Sequence, residues 1–540
     1  MSIFPRRACI WPSSPVLRVL VVLLFALPTF SRVATAGITV STTAANFGII
    51  DLGTSSSQTV TVTNTGTTTI KVSNVPIWGN GFSIKGLTLP LILSAKESST
   101  FEIVFDPQTA TASSGGFIVI SDAGAPIRGT VSGTGWKAVT GVVPSTYLGL
   151  VLHPEVLDAR VPWPTIPFGA MRLWASETQW AALNPAQGTY DWTELDSWFS
   201  IAATNGKTDL IYTFGVVPQW ASSNPNDEAC VSSVSAPGSC DAPYDVNPDG
   251  TGADALWQDF VTALVAHAAG RIKYWEMWNE PDCQYEWNGT NAQLVRMAKD
   301  AYAIIKAADP TSLVTTPSSV NAGTGRSIDI WLPAYLKAGG GAYADIVAFH
   351  GYINPALGQQ PEDITRTVDQ VTSSIAGTTL ATKPIWNSEG GWTQNSNLPN
   401  PDLEAAFVAR VYLLQWFKGV SRFYWFQYGN TDTGSLWTSA GPNEAGIAYG
   451  QVYNWVVNST LSGPCTATGT VWTCSYTKTG GVQQQAVWDT SKSCSGGHCT
   501  TSSFTPNSVY NRYVDLTGDV TTFTPGTPVQ IGVKPILLEN

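Results

Sequence analysis

The segment Ile272-Lys273-Tyr274-Trp275-Glu276-Met277-Trp278, followed by Asn279-Glu280-Pro281, indicates the fold of the central part of this 540-residue chain. Apolar and aromatic residues dominate its first seven positions, a pattern typical of a buried strand in a parallel sheet. Pro281 has no backbone N–H to donate to a neighbouring strand, so we expect the strand to end near it. Glu280 is therefore expected at the carboxyl end of the strand, the edge at which parallel α/β folds bind their ligands.

Seven similar segments accompany this strand, and most are separated by segments with helical periodicity. The eight predicted strands are Tyr147–Leu152, Gly169–Leu173, Asp209–Phe214, Ile272–Trp278, Ser312–Thr316, Asp345–His350, Lys383–Asn387 and Arg422–Gln427. The predicted helices are Ala253–Ala269, Asn291–Ala308, Ile364–Ala376 and Pro401–Gly419, the last with a core-facing stripe of Ala405, Val408, Ala409 and Leu413. Eight such strands predict a closed (β/α)₈ TIM barrel over residues 137–458. An open doubly wound sheet is the alternative, although no Gly-x-Gly-x-x-Gly follows a strand.

Two β-rich regions flank the predicted barrel, so the chain is expected to be multidomain. Residues 37–136 contain short alternating strands such as Thr59–Thr63 and Phe101–Phe105, separated by turn residues, and predict an immunoglobulin-like β-sandwich. Residues 459–540 contain candidate strands at Gln483–Asp489, Tyr513–Leu516 and Val529–Leu538. They predict a small β-sandwich packed on the barrel.

Residues 1–36 have the three parts of a secretory signal peptide. Arg6 and Arg7 form a basic start, Val19–Phe30 an apolar stretch, and Ala34-Thr35-Ala36 a small-residue cleavage site after Ala36. Twelve residues are too few to span a bilayer, which needs about 20, so an uncleaved anchor is the weaker alternative. The mature chain is expected outside the cytoplasm, either secreted, periplasmic or at the cell surface, and free of the membrane.

The cysteines fit an oxidising compartment. Cys9 belongs to the predicted signal peptide, and six others lie in closely spaced pairs, Cys230/Cys240, Cys465/Cys474 and Cys494/Cys499. We predict a disulfide within each pair. Cys283 is then left over, and none of the pairs has the Cys-x-x-Cys spacing of a redox or metal motif.

Composition excludes two classes of function. The chain has 28 Lys and Arg against 39 Asp and Glu, a formal net charge of −11, which lacks the basic footprint of a nucleic-acid-binding protein. Its four histidines, His153, His267, His350 and His498, are widely separated. Neither a metal centre nor another cofactor is expected.

A second acidic residue follows a predicted strand. Pro384-Ile385-Trp386-Asn387-Ser388 leads into Glu389-Gly390-Gly391-Trp392, and we expect the glycines to end this strand after the acid. Glu280 and Glu389 then follow the fourth and seventh strands and face each other across the barrel opening. Two carboxyl groups in such a position can cleave a glycosidic bond. Aromatic platforms for a sugar are expected near the strand ends, at Trp220, Trp278, Trp392 and Trp425.

The motifs around the two glutamates carry a family resemblance. Trp278-Asn279-Glu280-Pro281 together with Asn387-Ser388-Glu389 resembles the clan A glycoside hydrolases, most of all family 39, the β-xylosidase and iduronidase relatives, with family 5 second. The resemblance covers roughly Val143 to Gln451. Supporting matches are Arg172-Leu173-Trp174, Gly188-Thr189-Tyr190-Asp191-Trp192, Pro218-Gln219-Trp220-Ala221, His350-Gly351-Tyr352 and Trp425.

This resemblance implies cleavage with retention of anomeric configuration. Glu280 would be the acid/base and Glu389 the nucleophile, with their carboxyl groups about 5–5.5 Å apart. It also implies that Asn279 binds the 2-hydroxyl of the sugar and that Tyr352 and Arg172 orient the nucleophile. His350 would line the sugar subsite, and Trp425 would form its floor. Glu276 lies deeper in the strand and is expected to be structural.

The amino-terminal region has a resemblance of its own. Asn46-Phe47-Gly48, Val62-Thr63-Asn64-Thr65-Gly66 and Val131-Ser132-Gly133-Thr134-Gly135 resemble the immunoglobulin-like modules related to the ASH domain. That resemblance implies a role in spacing or attachment rather than in catalysis.

The leading hypothesis is therefore a secreted retaining glycosidase that acts on polysaccharides or oligosaccharides. The alternative is a non-catalytic carbohydrate-binding or adhesion protein built on an inactive barrel. Transglycosylation uses the same covalent intermediate and is a third possibility. The sugar, the linkage and the choice between internal and terminal cleavage depend on loop lengths, and the sequence leaves all three open. It also leaves the oligomeric state open.

Overall fold

The computed structural model describes residues 37–137, 139–232, 235–320, 328–393, 398, 400–429 and 434–540, so the predicted signal peptide lies outside the described residues. The chain divides near residue 138 into two compact units. Within the described ranges, no helix has both the length and the apolarity required to cross a membrane.

The amino-terminal unit is a β-sandwich, as the alternating pattern predicted. One sheet contains, in spatial order, Ile38–Val40, Ser56–Asn64, Ser98–Phe105 and Phe82–Lys85. The other contains Ala44–Asp51, Ile127–Trp136, Ala112–Ser121, Ile70–Asn74 and Leu91–Leu93, with Ile77–Trp78 paired to Ala112–Ser121. Every second side chain points inward, as at Val60 and Val62, and the buried rings of Phe82 and Phe105 stack 4.6 Å apart between the sheets.

The second unit is built around a closed parallel barrel. Its eight strands are Leu148–Val151, Ala170–Leu173, Leu210–Thr213, Tyr274–Glu276, Leu313–Thr315 continued by Ser319–Val320, Val347–Ile353, Ile385–Trp392 and Val420–Trp425. The eighth strand pairs with the first, where Leu148 lies opposite Phe423. The fifth strand pairs with the sixth through Ser319 and Val320. The TIM-barrel prediction is confirmed, and the open doubly wound sheet is wrong.

Helices cover the outside of the barrel. They are Trp180–Leu183, Thr193–Thr204, Ala255–Ala268, Asn291–Ala308, Ile328–Lys337, Ile364–Ile375, Pro401–Phe417 and Glu444–Val456. Short 3₁₀ turns lie at Ser145–Tyr147, Pro154–Val156, Gln219–Ala221, Glu228–Cys230, Gly340–Tyr343, Pro355–Leu357 and Pro361–Asp363. All four predicted helices are present within two residues of their predicted ends. Helix Asn291–Ala308 begins at a capping box in which Thr290 and Gln293 satisfy each other's backbone N–H groups.

The seventh strand is longer than predicted. Its residues Gly390, Gly391 and Trp392 continue the ladder by pairing with the sixth strand, so the glycines do not end the strand after Glu389. A side chain at Gly390 would place its Cβ 2.6 Å from the carbonyl oxygen of Gly351. Glycine is therefore required here for the close approach of two strands rather than for a turn.

The prediction of a single core-facing stripe on helix Pro401–Phe417 is also wrong, because every residue from 405 to 417 is buried. The carboxyl-terminal β region covers the outer side of this helix. The ring of Trp416 lies 5.1 Å from that of Tyr476, and Trp488 of the β region donates its indole N–H to Glu362, which forms an ion pair with Arg410 of the helix. The β region thus supplies part of the hydrophobic core of this unit.

That carboxyl-terminal region is β-rich, as expected. Its main sheet is formed by Ser459–Leu461, Val471–Lys478, Gln483–Asp489, Ile536–Glu539, Arg512–Val514 and Val520–Thr522 in that order, with Thr466–Thr468 paired to Val471–Lys478. Two further pairs in this region are Ser502–Phe504 with Val529–Ile531 and Cys494–Ser495 with His498–Cys499. A separate pair of short strands, Trp437–Thr438 and Gly441–Pro442, lies before the last helix. Val143, which precedes the first barrel strand, donates its backbone N–H to Ser459 and so joins the barrel to this region.

The three predicted disulfides are present, between Cys230 and Cys240, Cys465 and Cys474, and Cys494 and Cys499. Across the described residues the structure contains no free cysteine, so Cys283 is not the unpaired thiol that the sequence suggested.

A buried carboxyl group lies at the start of helix Ala255–Ala268. Asp254 is fully buried, and neither of its side-chain oxygens has a donor among the described residues. Burial, a close contact with Asp300 and the charges of Asp300 and Asp245 raise the pKa of Asp254 to about 9, although Arg296 opposes the shift. Asp254 is therefore protonated at neutral pH.

The Asp254 carboxyl group should make stability depend on pH. Between its ordinary pKa of 3.8 and about 9, the folded chain keeps a proton that the unfolded chain releases, so unfolding free energy falls as pH rises through this window. Asp254→Asn retains a donor without the acid and should remove this part of the decline, measured by urea unfolding at about pH 5 and about pH 9. Asp259→Asn, an exposed position on the same helix, is the control. Equal pH slopes for Asp254→Asn and the wild type would contradict the assignment.

Candidate active site

The two glutamates predicted to act together lie close to each other at the carboxyl end of the barrel. One carboxylate oxygen of Glu280, one of Glu389 and a ring nitrogen of His350 all lie within 4.8 Å of one another. Glu280 follows the fourth strand with a left-handed φ of 40° and donates its backbone N–H to Ser318 on the fifth. This conformation costs about 1–2 kcal/mol for a non-glycine residue, and such strain is concentrated at functional sites.

A buried arginine connects the strands that carry the site. From the second strand, Arg172 donates Nε to Glu276 at 2.7 Å, Nη1 to Glu389 at 2.6 Å and Nη2 to Asn279 at 2.8 Å. Its side chain is fully buried. Burial by itself lowers the pKa of Arg172, but the charges of Glu276 and Glu389 outweigh it and raise that pKa above its ordinary value. The guanidinium is therefore a permanent cation between two carboxylates.

Glu276 lies below the opening and has a supporting position. It is fully buried, and the oxygen that accepts from Arg172 also accepts from the Thr213 hydroxyl at 2.6 Å. Its negative charge balances the guanidinium, so the pair can be buried without a net charge. The position agrees with the expectation that Glu276 is structural.

Both oxygens of Glu389 accept hydrogen bonds. Tyr352 donates its hydroxyl to Oε1 at 2.7 Å, and Arg172 donates to Oε2. Two donors and an adjacent positive charge suit an anionic carboxylate whose orientation is held before any ligand arrives.

Glu280 has a different environment. His350 is fully buried, and its Nδ1 lies 2.8 Å from Glu280 Oε1 while its Nε2 lies 3.3 Å from Arg172 Nη2. Because a guanidinium can only donate, Nε2 of His350 accepts and the proton is on Nδ1, from which it is donated to Glu280. This leaves Oε2 of Glu280 as the oxygen that can carry a proton.

Trp425 and Trp392 do not line the opening. Trp425 is fully buried, packs against Phe407 and Tyr412 of helix Pro401–Phe417, and donates its indole N–H to Gly434. Trp392 is 3% exposed and lies against Trp425. The expectation that Trp425 floors a sugar subsite is therefore not met, because its side chain points toward the helical layer.

Phe426 occupies the inward position instead. Its ring belongs to the interior cluster with Tyr424, and it lies 5.1 Å from His153 and 6.5 Å from Tyr352. Successive side chains of a strand point to opposite sides. Because Tyr424 faces inward, Trp425 faces outward and Phe426 faces inward again, and this alternation could have indicated Phe426 from the sequence. His153 lies two residues after the first strand, and this place near a strand end is the signal by which the sequence could have indicated it.

The remaining aromatic candidates lie elsewhere. Trp220 is half-buried and donates its indole N–H to Asn184 at 2.9 Å, and none of its contacts among the described residues involves the two glutamates. Trp278 is fully buried against Trp257 and Trp287. A role for Trp220 in substrate binding stays a prediction.

Metal binding is the other chemistry that these residue types allow. Glu280, His350 and Glu389 meet the spacing of a three-ligand site, but the Arg172 cation already contacts Glu389 and would repel a metal ion. Two further groups with ligand spacing, around Asp241 and around Asp402, take their sulfur atoms from disulfides, which cannot serve as thiolate ligands. The site geometry favours proton transfer and nucleophilic attack.

Two family models match parts of the sequence. Residues 246–449 match the family model of the glycosyl hydrolase catalytic core, and residues 36–134 match that of the HYDIN/CFA65/VesB-like immunoglobulin-like domain. No curated protein matches the sequence.

Solved structures share the fold. The chain is similar to a family 39 glycoside hydrolase from Bacteroides cellulosilyticus WH2, with 17% identity, 92% of this chain and 98% of that chain covered, and a TM-score of 0.55. It is also similar to a monomeric β-xylosidase from Caulobacter crescentus CB15, with 15% identity, 74% and 97% covered, and a TM-score of 0.52.

The catalytic-core match contains both Glu280 and Glu389. The chain therefore contains a segment similar to the glycosyl hydrolase catalytic core and an amino-terminal segment similar to an immunoglobulin-like domain, which agrees with the predicted resemblances.

Arg172 should be essential for folding as well as for the site. Arg172→Met keeps much of the volume but leaves Glu276 and Glu389 buried without a counter-ion, so the free energy of unfolding should fall by about 3–5 kcal/mol. Urea unfolding measures the change. Arg160→Met is the control, because Arg160 is 65% exposed and its ion pair with Asp158 is solvated. A comparable loss in both variants, or none in Arg172→Met, would contradict the role of the buried cation.

Proposed function

We propose that this chain is an exported, retaining glycoside hydrolase that works by double displacement, with Glu389 as nucleophile and Glu280 as acid/base. The observation that carries the proposal is that one carboxylate oxygen of Glu389 lies within 4.8 Å of one carboxylate oxygen of Glu280. Retaining enzymes hold these groups about 5–5.5 Å apart, whereas inverting enzymes need about 6.5–9.5 Å to admit a water molecule.

In the first step, Glu389 attacks the anomeric carbon and forms a covalent glycosyl ester while the glycosidic bond breaks. Glu280 gives the proton on Oε2 to the departing oxygen, so the leaving group departs as a neutral alcohol. The Nδ1–H of His350 holds Oε1 of Glu280 and thereby aims the other oxygen at the bond.

In the second step, Glu280, now a carboxylate, takes a proton from water, and the resulting hydroxide attacks the same carbon. Glu389 leaves as a carboxylate, and the two attacks together retain the configuration. Arg172 and Tyr352 stabilise the negative charge that returns to Glu389. A sugar that replaces the water gives transglycosylation by the same route.

Neighbouring groups are suited to bind the sugar. Oδ1 of Asn279 accepts from Arg172, which leaves its NH₂ group to donate to a sugar hydroxyl, in line with the 2-hydroxyl role that the resemblance implies. Phe426 takes the flooring role expected of Trp425, with His153 beside it.

Export and domain organisation are part of the proposal. Three disulfides suit an oxidising compartment and agree with cleavage of a signal peptide after Ala36. We assign residues 37–136 to spacing or attachment, 137–458 to catalysis and 459–540 to support of the barrel.

Substitution of the two glutamates tests the roles directly. Glu389→Gln should lower kcat on aryl glycosides by about 10,000-fold or more, because no covalent intermediate can form. Glu280→Gln should lower it by about 100-fold or more for poor leaving groups, but much less for phenols that depart without a proton. A panel of aryl glycosides that includes β-xylosides, the substrate class named for the Caulobacter structure, provides the assay.

Glu228→Gln is the matched control, since Glu228 is exposed on a loop and should leave the rates unchanged. Full activity in Glu389→Gln would refute its role, and a wild type that binds glycans but cleaves none would favour the non-catalytic alternative.

Stereochemistry tests the mechanism independently. Proton NMR of a reaction in progress should show the product first with the same anomeric configuration as the substrate, followed by mutarotation. Initial appearance of the opposite anomer would rule out double displacement.

A further inference from the structure

The amino-terminal unit carries an exposed tryptophan on its second sheet, the one that contains strands Ala112–Ser121 and Ile127–Trp136. Trp78 is 50% exposed, more than any other tryptophan among the described residues. Its short strand pairs with Ala112–Ser121, where Trp78 lies opposite Gly116. A single exposed apolar residue needs no explanation by itself, so its surroundings decide whether it belongs to a binding surface.

The absence of a side chain at Gly116 allows the indole to lie against the sheet. Phe117 and Val119 of the same strand point into the core, so a side chain at Gly116 would point outward. Its Cβ would lie 2.6 Å from Cζ2 of Trp78. The indole therefore lies on the outer face of the sheet above Gly116, with half of its surface open to solvent.

A cavity adjoins the indole on this outer face. Its volume of about 370 Å³ is within the range of ligand pockets. Ser114 lines it and lies two residues from Gly116 on the same strand face, a rise of about 7 Å. Strand pairing places Ser132 opposite Ser114 and Asn46 opposite Ser132, and both also line the cavity. The indole and this polar row are therefore neighbouring parts of one surface.

The lining of the cavity forms hydrogen bonds but has no charge. Every described residue that lines it is uncharged, and an amide and three hydroxyl groups come from Asn46, Ser114, Ser132 and Thr134. Oδ1 of Asn46 accepts the backbone N–H of Gly48 at 3.0 Å, which leaves the NH₂ group of Asn46 to donate. The one charged residue of strand Ile127–Trp136 is Arg128, at the end of the strand away from the cavity. A charged ligand would lose its hydration here without gaining an ion pair.

A neutral polysaccharide has the chemistry that matches this surface. The C–H faces of its rings pack on an indole, and its hydroxyl groups exchange hydrogen bonds with amides and hydroxyls. From Gly116 to Ala112, which also lines the cavity, the strand rises about 13 Å, longer than a single sugar ring. A glycan is also the ligand that the proposed function requires of the second unit.

We propose that this outer face of the amino-terminal unit is a carbohydrate-binding surface for a neutral polysaccharide, with Trp78 as its aromatic platform. The unit holds the chain on its polymer. This binding does not depend on the catalytic roles proposed for Glu280 and Glu389.

Binding of the full chain to insoluble polysaccharides tests the surface. The probes are cellulose, arabinoxylan and mannan, and depletion of protein from solution in the cold gives the dissociation constant. Trp78→Ala should raise this constant by about tenfold or more, because a central aromatic anchor carries much of the binding energy. Ser132→Gln extends a side chain into the cavity and should also weaken binding. Both variants should keep the wild-type kcat/KM on a soluble aryl glycoside.

Ile92→Ala is the matched control, since Ile92 is 53% exposed on strand Leu91–Leu93 of the same sheet, and it should bind as the wild type does. Thermal unfolding of all variants checks the fold.

Two results would overturn the surface while leaving the proposed function intact. One is that the wild type binds none of the three polymers, and the other is that Trp78→Ala and Ser132→Gln bind as tightly as the wild type. A dimer that Trp78→Ala abolishes, without polymer binding, would assign the face to a second copy of the chain instead. A wild type that binds a polymer through Trp78 but cleaves no glycoside would refute the proposed function and support the surface.

Discussion

The buried guanidinium of Arg172 is the constraint on which the site depends. It joins the second, fourth and seventh barrel strands by bonds to Glu276, Asn279 and Glu389. Removing these charges from water is expensive, and the ion pairs and hydrogen bonds of Arg172 with its three partners offset that cost. The bonds that compensate the burial of Arg172 also orient Glu389. They therefore contribute both to the stability of this centre and to its catalytic geometry.

The closed barrel makes this arrangement possible. All eight strands run in parallel, so residues that follow different strands meet at one edge, and alternation decides which of them face inward. The carboxyl-terminal β region contributes by burying helix Pro401–Phe417, where Glu362 bonds to both Arg410 and Trp488. That helix packs against Trp425 and so supports the eighth strand, from which Phe426 enters the barrel interior.

Much of the fold and the two glutamates could be predicted from local sequence. Apolar runs indicated all eight strands, although the fourth strand ends at Glu276 rather than near Pro281. The errors have local causes as well. The residue type of Trp425 favours it as a sugar platform, although the alternation with Tyr424 excludes it. Gly390 is typical of a strand end, although here it permits close approach of two strands. The pattern of helix Pro401–Phe417 does not reveal that its outer side is buried, because the β region that covers it lies far along the chain.

The sequence by itself determined the order of strands and helices, the closely spaced disulfides and the residue types available for catalysis, since periodicity and short spacings are local properties. The tertiary structure alone decided the distance between Glu280 and Glu389 and the three partners of Arg172. The partners of Arg172 lie 104, 107 and 217 residues away in the chain. Only closure of the barrel brings groups so distant in sequence within hydrogen-bonding distance, because the path of the chain between them has no local signature.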